Sequence, residues 1–118
     1  MYCKLFIIGR SSDKPELRVT AGGKYSARIG LAVDHYTNEG KKTIWMNVTV
    51  FGSEAEKCAK YLEKGSRIFV EGQLNPDPET MRPKVYKNKD GDMVASYDII
   101  GNKVLFIGGQ HENERKAN

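Results

Sequence analysis

Cysteine, histidine and long apolar runs are scarce in this chain, and each scarcity closes a class of function. The two cysteines, Cys3 and Cys58, fall far short of a disulfide scaffold. Neither has a second cysteine or histidine at metal-ligand spacing, so both read as buried thiols. The two histidines are His35, which takes the inward parity of a strand, and His111, which stands in a polar C-terminal stretch. Neither is placed as a base beside a nucleophile, so the chain does not read as an enzyme. Asp90 and Asp92 flank a turn glycine without the further ligands of a calcium loop. Gly22-Gly23-Lys24 lacks the upstream glycine and the following Ser/Thr of a phosphate cradle. No metal or cofactor is expected.

No apolar run approaches the roughly 20 residues that cross a bilayer, and Met1-Tyr2-Cys3-Lys4 has neither the charged start nor the apolar stretch of a signal peptide. The expectation is a cytoplasmic, nucleoid-associated protein with no membrane partner. Nor is there a run of like charge. The net charge of +4 comes from 19 basic and 15 acidic residues. Residues 1–45 hold eight bases against four acids, while the rest of the chain is balanced, so the whole excess lies in the first part.

What the chain does have is alternation. Apolar and polar side chains mostly take turns over the first hundred residues, the period of strands with one buried face. Tyr2 to Ile8, resumed at Leu17-Arg18-Val19, reads as one strand interrupted around Ser11–Pro15. Tyr25, Ala27, Ile29, Leu31 and Val33 give the inward face of a second strand, with Arg28 on its outward parity. After a polar loop over 38–42, Ile44, Met46, Val48 and Val50 give a third. Ser53-Glu54-Ala55-Glu56 has the form of a capping box, Ala55, Cys58, Ala59 and Leu62 follow at helical spacing, and Gly65 is placed as the stop. Ile68 to Leu74 forms a fourth strand, and Val94 to Ile100 with Val104 to Ile107 the last β segments.

Pro76, Pro78 and Pro83 interrupt any ladder between them, and Asn88-Lys89-Asp90-Gly91-Asp92 is the turn of a projecting hairpin over roughly 82–97. This order predicts an all-β fold: a five-stranded Greek-key OB barrel with one short helix between strands 3 and 4. One domain covers residues 1–109, and the wholly polar 110–118 reads as a disordered tail.

The face of the third strand opposite its core parity carries Trp45, Asn47, Thr49 and Phe51. Two large aromatics six residues apart stand roughly 20 Å from one another on a strand, the reach of several nucleotides of extended single strand. Tyr36 has outward parity at the end of the second strand, and Tyr86 lies in the hairpin among Lys84, Lys87 and Lys89. Aromatic rings interleaved with lysines suit a single-stranded nucleic acid, because each base offers a face to stack and each ammonium can neutralise a phosphate. Core packing or a subunit contact would also explain Trp45 and Phe51, and loop packing the two tyrosines.

Several segments together resemble the bacterial-type single-stranded DNA-binding proteins. They are Lys4-Leu5-Phe6-Ile7-Ile8-Gly9-Arg10, Asp13-Lys14-Pro15-Glu16-Leu17-Arg18, Leu31-Ala32-Val33, Trp45 leading into Val50-Phe51-Gly52, Ala59 to Gly65, and Val70-Glu71-Gly72-Gln73-Leu74. The resemblance spans residues 2–109 and implies base stacking on Trp45, Phe51 and Tyr86, with Tyr36 near a fourth such position. It implies that Lys4, Arg18 and Lys64 are basic positions of the DNA-facing surface, to which Arg28, Lys84, Lys87 and Lys89 are added. It further implies a homotetramer built as paired dimers and roles in replication, recombination and repair. Asn47 and Ser53 stand where the family often has basic residues, and the Pro76–Pro83 segment is longer than usual. The family's acidic C-terminal tail, which recruits replication and repair proteins, has no counterpart in these 118 residues, so such partners stay unassigned. Two other readings remain open: a primosome accessory protein of the same fold, which pairs as a dimer, and an OB-fold protein-interaction module.

Overall fold

Strands with one apolar face must close that face against something, and here they close it against each other. The structure is a computed structural model that describes residues 2–108. The expected tail, the domain boundary at 109 and His111 lie outside those residues. In chain order the elements are β1 Leu5–Ser11, β2 Leu17–Val19, β3 Tyr25–Thr37, β4 Gly40–Phe51, α1 Gly52–Tyr61, β5 Arg67–Leu74, β6 Val85–Lys87, β7 Met93–Ala95 and β8 Tyr97–Gly108.

β1 and β2 are halves of one interrupted strand. Both pair antiparallel with β3, β1 through Arg10 and Ser11 and β2 through Leu17 to Val19, while residues 12–16 loop out between them. Counted as one, they complete a barrel of five strands in the order β1-β5-β8-β4-β3 that closes from β3 back onto β1, with a parallel contact between β4 and β8. The helix follows the third barrel strand, and β6 and β7 form a separate two-stranded hairpin. This is the OB architecture.

The core takes the inward residues that alternation assigns: Ala27, Ile29 and Leu31 from β3, Val48 and Val50 from β4, Ile68 and Val70 from β5, and Ile99 and Val104 from β8. Ala55, Cys58 and Leu62, from the helix and the residue after it, complete the same cluster. Burial among these groups pushes the Cys58 thiol up to about 11, so it stays protonated and unreactive. β5 and β8 approach closely at Gly72, where a Cβ would collide with the Ile100 carbonyl oxygen.

Several local expectations fail, each for a physical reason. β4 runs without a break into α1, so Phe51 in extended conformation is the cap, and the Ser53–Glu56 capping box does not form. Glu54 instead accepts the Val104 N–H at 3.1 Å and holds the Lys57 ammonium at 3.0 Å, tying the helix to β8. The helix ends where the Leu62 N–H meets the Cys58 carbonyl at 3.0 Å, and Gly65 serves the following turn with a φ of +85°. Tyr25 and His35 have inward parity but are exposed, because β3 runs past the packed core at both ends. Lys41 and Lys42 belong to β4 rather than to a loop, since Tyr36 pairs with Lys41 and His35 with Lys42. Cys3 is exposed, lying ahead of β1 and outside the barrel. The last β segment divides: Met93–Ala95 pairs within the hairpin, and β8 then runs unbroken from Tyr97 to Gly108, with a register shift opposite Glu71 and Gly72.

Candidate functional site

The register of β3 on β4 sets out the outward face row by row. Ser26 lies opposite Phe51, Arg28 opposite Thr49, Gly30 opposite Asn47, and Ala32 opposite Trp45. Residues paired across neighbouring strands share a face, so small or polar side chains on β3 lie beside the two aromatics of β4. Trp45 is 61% exposed and Phe51 36%. The indole is thus largely open to solvent. The Phe51 ring is partly covered by the Lys24 ammonium, 5.2 Å from its centroid, a cation–π contact.

Between the aromatics lies a trough. One part, a groove of about 690 Å³, has Arg28, Asn47 and Thr49 as its floor and Lys84 and Tyr86 from the hairpin side as a wall, with Asp77 and Asp98 also on its lining. A second part of about 470 Å³ continues over Arg18, Ser26, Arg28 and Gly30 toward Lys14 and Pro15. Arg28 and Thr49 border both, so the two join across β3 and β4. Gly30 gives the Ser12 side chain room to pack against β3: a Cβ there would run into the Ser12 hydroxyl. Arg28 makes no ion pair with any described residue, which leaves its guanidinium available to an anion.

The hairpin forms as expected. Tyr86 pairs with Val94, and the turn closes through Asn88, whose N–H reaches the Asp92 carbonyl at 2.9 Å, with Gly91 at φ +85°. Tyr86 is 52% exposed, and Lys87 and Lys89 stand in solvent. The Pro76–Pro83 segment folds into a tight turn at the hairpin's base, where Asp77 accepts the Glu79 and Thr80 N–H groups at 2.9 and 3.3 Å. Among the expected site residues Arg18, Arg28, Lys84 and Tyr86 therefore line one trough, and Trp45 and Phe51 flank its Asn47 and Thr49 floor on the same face of β4.

Other expected residues stand apart from it. Lys4 is held by Glu71 at 2.5 Å on the outer face of β1 and β5. That hydrogen bond pushes the Lys4 ammonium up and holds the Glu71 carboxylate below its usual range. Lys64 lies in the turn after α1, and Tyr36, 75% exposed, lies at the far end of β3. Asn47 and Thr49 line the trough and Lys24 sits over the Phe51 ring, although sequence reasoning did not select them. Asn47 and Thr49 share the parity of Trp45 and Phe51, which is a legible signal. The contact of Lys24 with Phe51 follows from hairpin register, which the sequence leaves open.

Comparison with known proteins points the same way. Residues 2–107 match the family described as the single-strand binding protein family. A "single-stranded DNA-binding protein" of Neisseria meningitidis is 30% identical over 97% of this chain and 64% of its own length. One from Xanthomonas campestris is 32% identical over 92% of this chain and 62% of its own length. A "single-stranded DNA-binding protein 1" of Staphylococcus aureus is 32% identical over 97% and 70%. The chain thus spans just under two thirds of the Neisseria and Xanthomonas proteins.

Proposed function

We propose that this chain, which belongs to the single-strand binding protein family, binds single-stranded DNA without sequence preference and protects it during replication, recombination and repair. The observation that carries this reading is the outward face of β4, where Trp45 and Phe51 stand exposed on either side of Asn47 and Thr49, which with Arg28 floor the trough. Bases stack on the two rings, while Arg28, Arg18 and Lys84 neutralise the phosphates between them. Tyr86 adds a stack from the hairpin and Lys87 and Lys89 add charge. Duplex DNA hides the base faces and does not fit this scheme. The reading is that of a binding module, with no reacting group required.

A homotetramer is part of the proposal. The outer face of β1, β5 and β8 exposes Phe6, Ile8 and Leu105 beside Phe69, and Phe6 and Phe69 stack with their centroids 5.9 Å apart. Among the described residues, β1 pairs only with β5 over 5–9, so one edge of it is open to another strand. An apolar face beside an open strand edge is the surface a second copy covers.

The hairpin gives the test. Lysines release counterions and set the salt dependence of binding, whereas a stacked ring is screened far less. Changing Lys84, Lys87 and Lys89 to Gln should flatten the plot of log affinity for poly-thymidine against log salt by about 0.7 per lost phosphate contact. Tyr86→Ala should weaken binding with the slope nearly unchanged. Identical slopes for wild type and the triple variant would remove residues 82–97 from the site. Native mass of the same wild-type preparation should show four copies, and a monomer would refute the assembly.

A further inference from the structure

The register that builds the trough builds a second feature at its Trp45 end. Trp45 on β4 lies opposite Ala32 on β3, Ala32 opposite Arg10 on β1, and Arg10 opposite Arg67 on β5. These four residues form one cross-strand row on the outer face, with neighbouring strands about 4.8 Å apart. Arg10 and Arg67 border a pocket of about 300 Å³ that also takes in Ala32 and the Tyr36 ring. The Phe51 end of the trough carries a row of the same make: Phe51 opposite Ser26, and Ser26 opposite Arg18. At each end an aromatic on β4 is followed by a small side chain on β3 and then by an arginine on the interrupted first strand.

The pair Arg10 and Arg67 is unusual for a free surface. Like charges directly opposite in a sheet repel. Neither guanidinium forms an ion pair with a described residue, and Asp34, which borders the same pocket, is not within salt-bridge distance of either. Two forks of donors side by side, with an aromatic ring at each edge of their setting, suit a phosphodiester flanked by bases. Ala32 leaves the floor low between the indole and the Arg10 side chain, so a strand leaving Trp45 meets no obstacle there.

We propose that the row Trp45–Ala32–Arg10–Arg67 is a second phosphate-binding step, which carries the single strand off the Trp45 ring, across β1 and onto β5, with Tyr36 as the neighbouring stacking ring. The step rests on the single-strand reading above and extends it beyond the trough. It gives Tyr36, remote from the trough, a place on the strand's path. It also directs the strand toward the border of the apolar outer face, since Ile8 and Phe69 form the next outward-facing pair along β1 and β5.

The experiment compares wild type, Arg10→Gln/Arg67→Gln, and Lys60→Gln/Lys103→Gln, the last removing the same charge away from the row. Affinity for poly-thymidine is measured from about 50 to 300 mM salt, where counterion release dominates. The arginine variant should lose about 0.7 to 1.4 from the log–log slope, so that its disadvantage shrinks about three- to twelve-fold across that range. Its native mass and its Trp45 quenching at saturation in low salt should equal those of wild type. A slope equal to wild type, a slope change no larger than that of the lysine variant, or a fall in native mass would overturn the proposal, the last by showing that the row packs between copies. Failure of wild type itself to bind or quench would overturn the single-strand reading, a result separable from failure of the row.

Discussion

Replacing both Trp45 and Phe51 by alanine should weaken single-strand binding by about 2–6 kcal/mol while leaving the barrel folded. Each ring supplies a stack of about 1–3 kcal/mol. The two stand roughly 20 Å apart along β4, and losses at sites so far apart add. The corresponding fall in affinity runs from about thirty-fold to more than ten-thousand-fold. The fold survives because both rings lie on the outward face and belong to no part of the buried cluster. Each single variant should show its own share at a fixed salt concentration. A double variant that keeps its affinity but melts like a core mutant would reverse the assignment of faces on β4.

The opposite pattern is expected at Leu31. Its side chain is fully buried on the inward face of β3, opposite Met46 on β4 and Ser11 on β1. Leu31→Ala leaves a cavity in a barrel whose neighbouring strands are locked by register and cannot collapse to fill it. The cost should be about 2–5 kcal/mol of stability. Denaturant unfolding gives the value, and the fraction still folded should bind single strand with wild-type affinity. A loss below about 1 kcal/mol, within the range of a volume-conserving swap, would mean that the inward face of β3 is misassigned.

These two predictions separate because alternation is the most legible property of the sequence. The inward residues from Ala27 to Leu31 and from Val48 to Val50 could be named from period alone, and with them the outward rings of Trp45 and Phe51. Legibility fades where alternation continues past the core. Tyr25 and His35 keep the parity of buried residues but lie where the barrel offers no opposing surface. The capping box was a local pattern overridden by tertiary context, since continuous β4 places the helix start one residue ahead of Ser53. What the sequence could not convey was cross-strand register. Lys24 over Phe51, Arg28 at the middle of the trough, and Arg10 beside Arg67 all depend on which residues face one another across strands. Lys4 shows the same limit: its position matches a basic residue of the family, yet the side chain is engaged by Glu71, 67 positions away in the chain.

The central claim is that the outward face of β4 stacks bases, and the single tryptophan reports on it directly. Titration with poly-thymidine at low salt, followed by Trp45 emission, should give a saturable fall in fluorescence, because a base stacked on the exposed indole quenches it. Duplex of the same length and concentration should change the emission little. Unchanged Trp45 emission at saturating single strand, with binding established independently by mobility shift, would contradict the account.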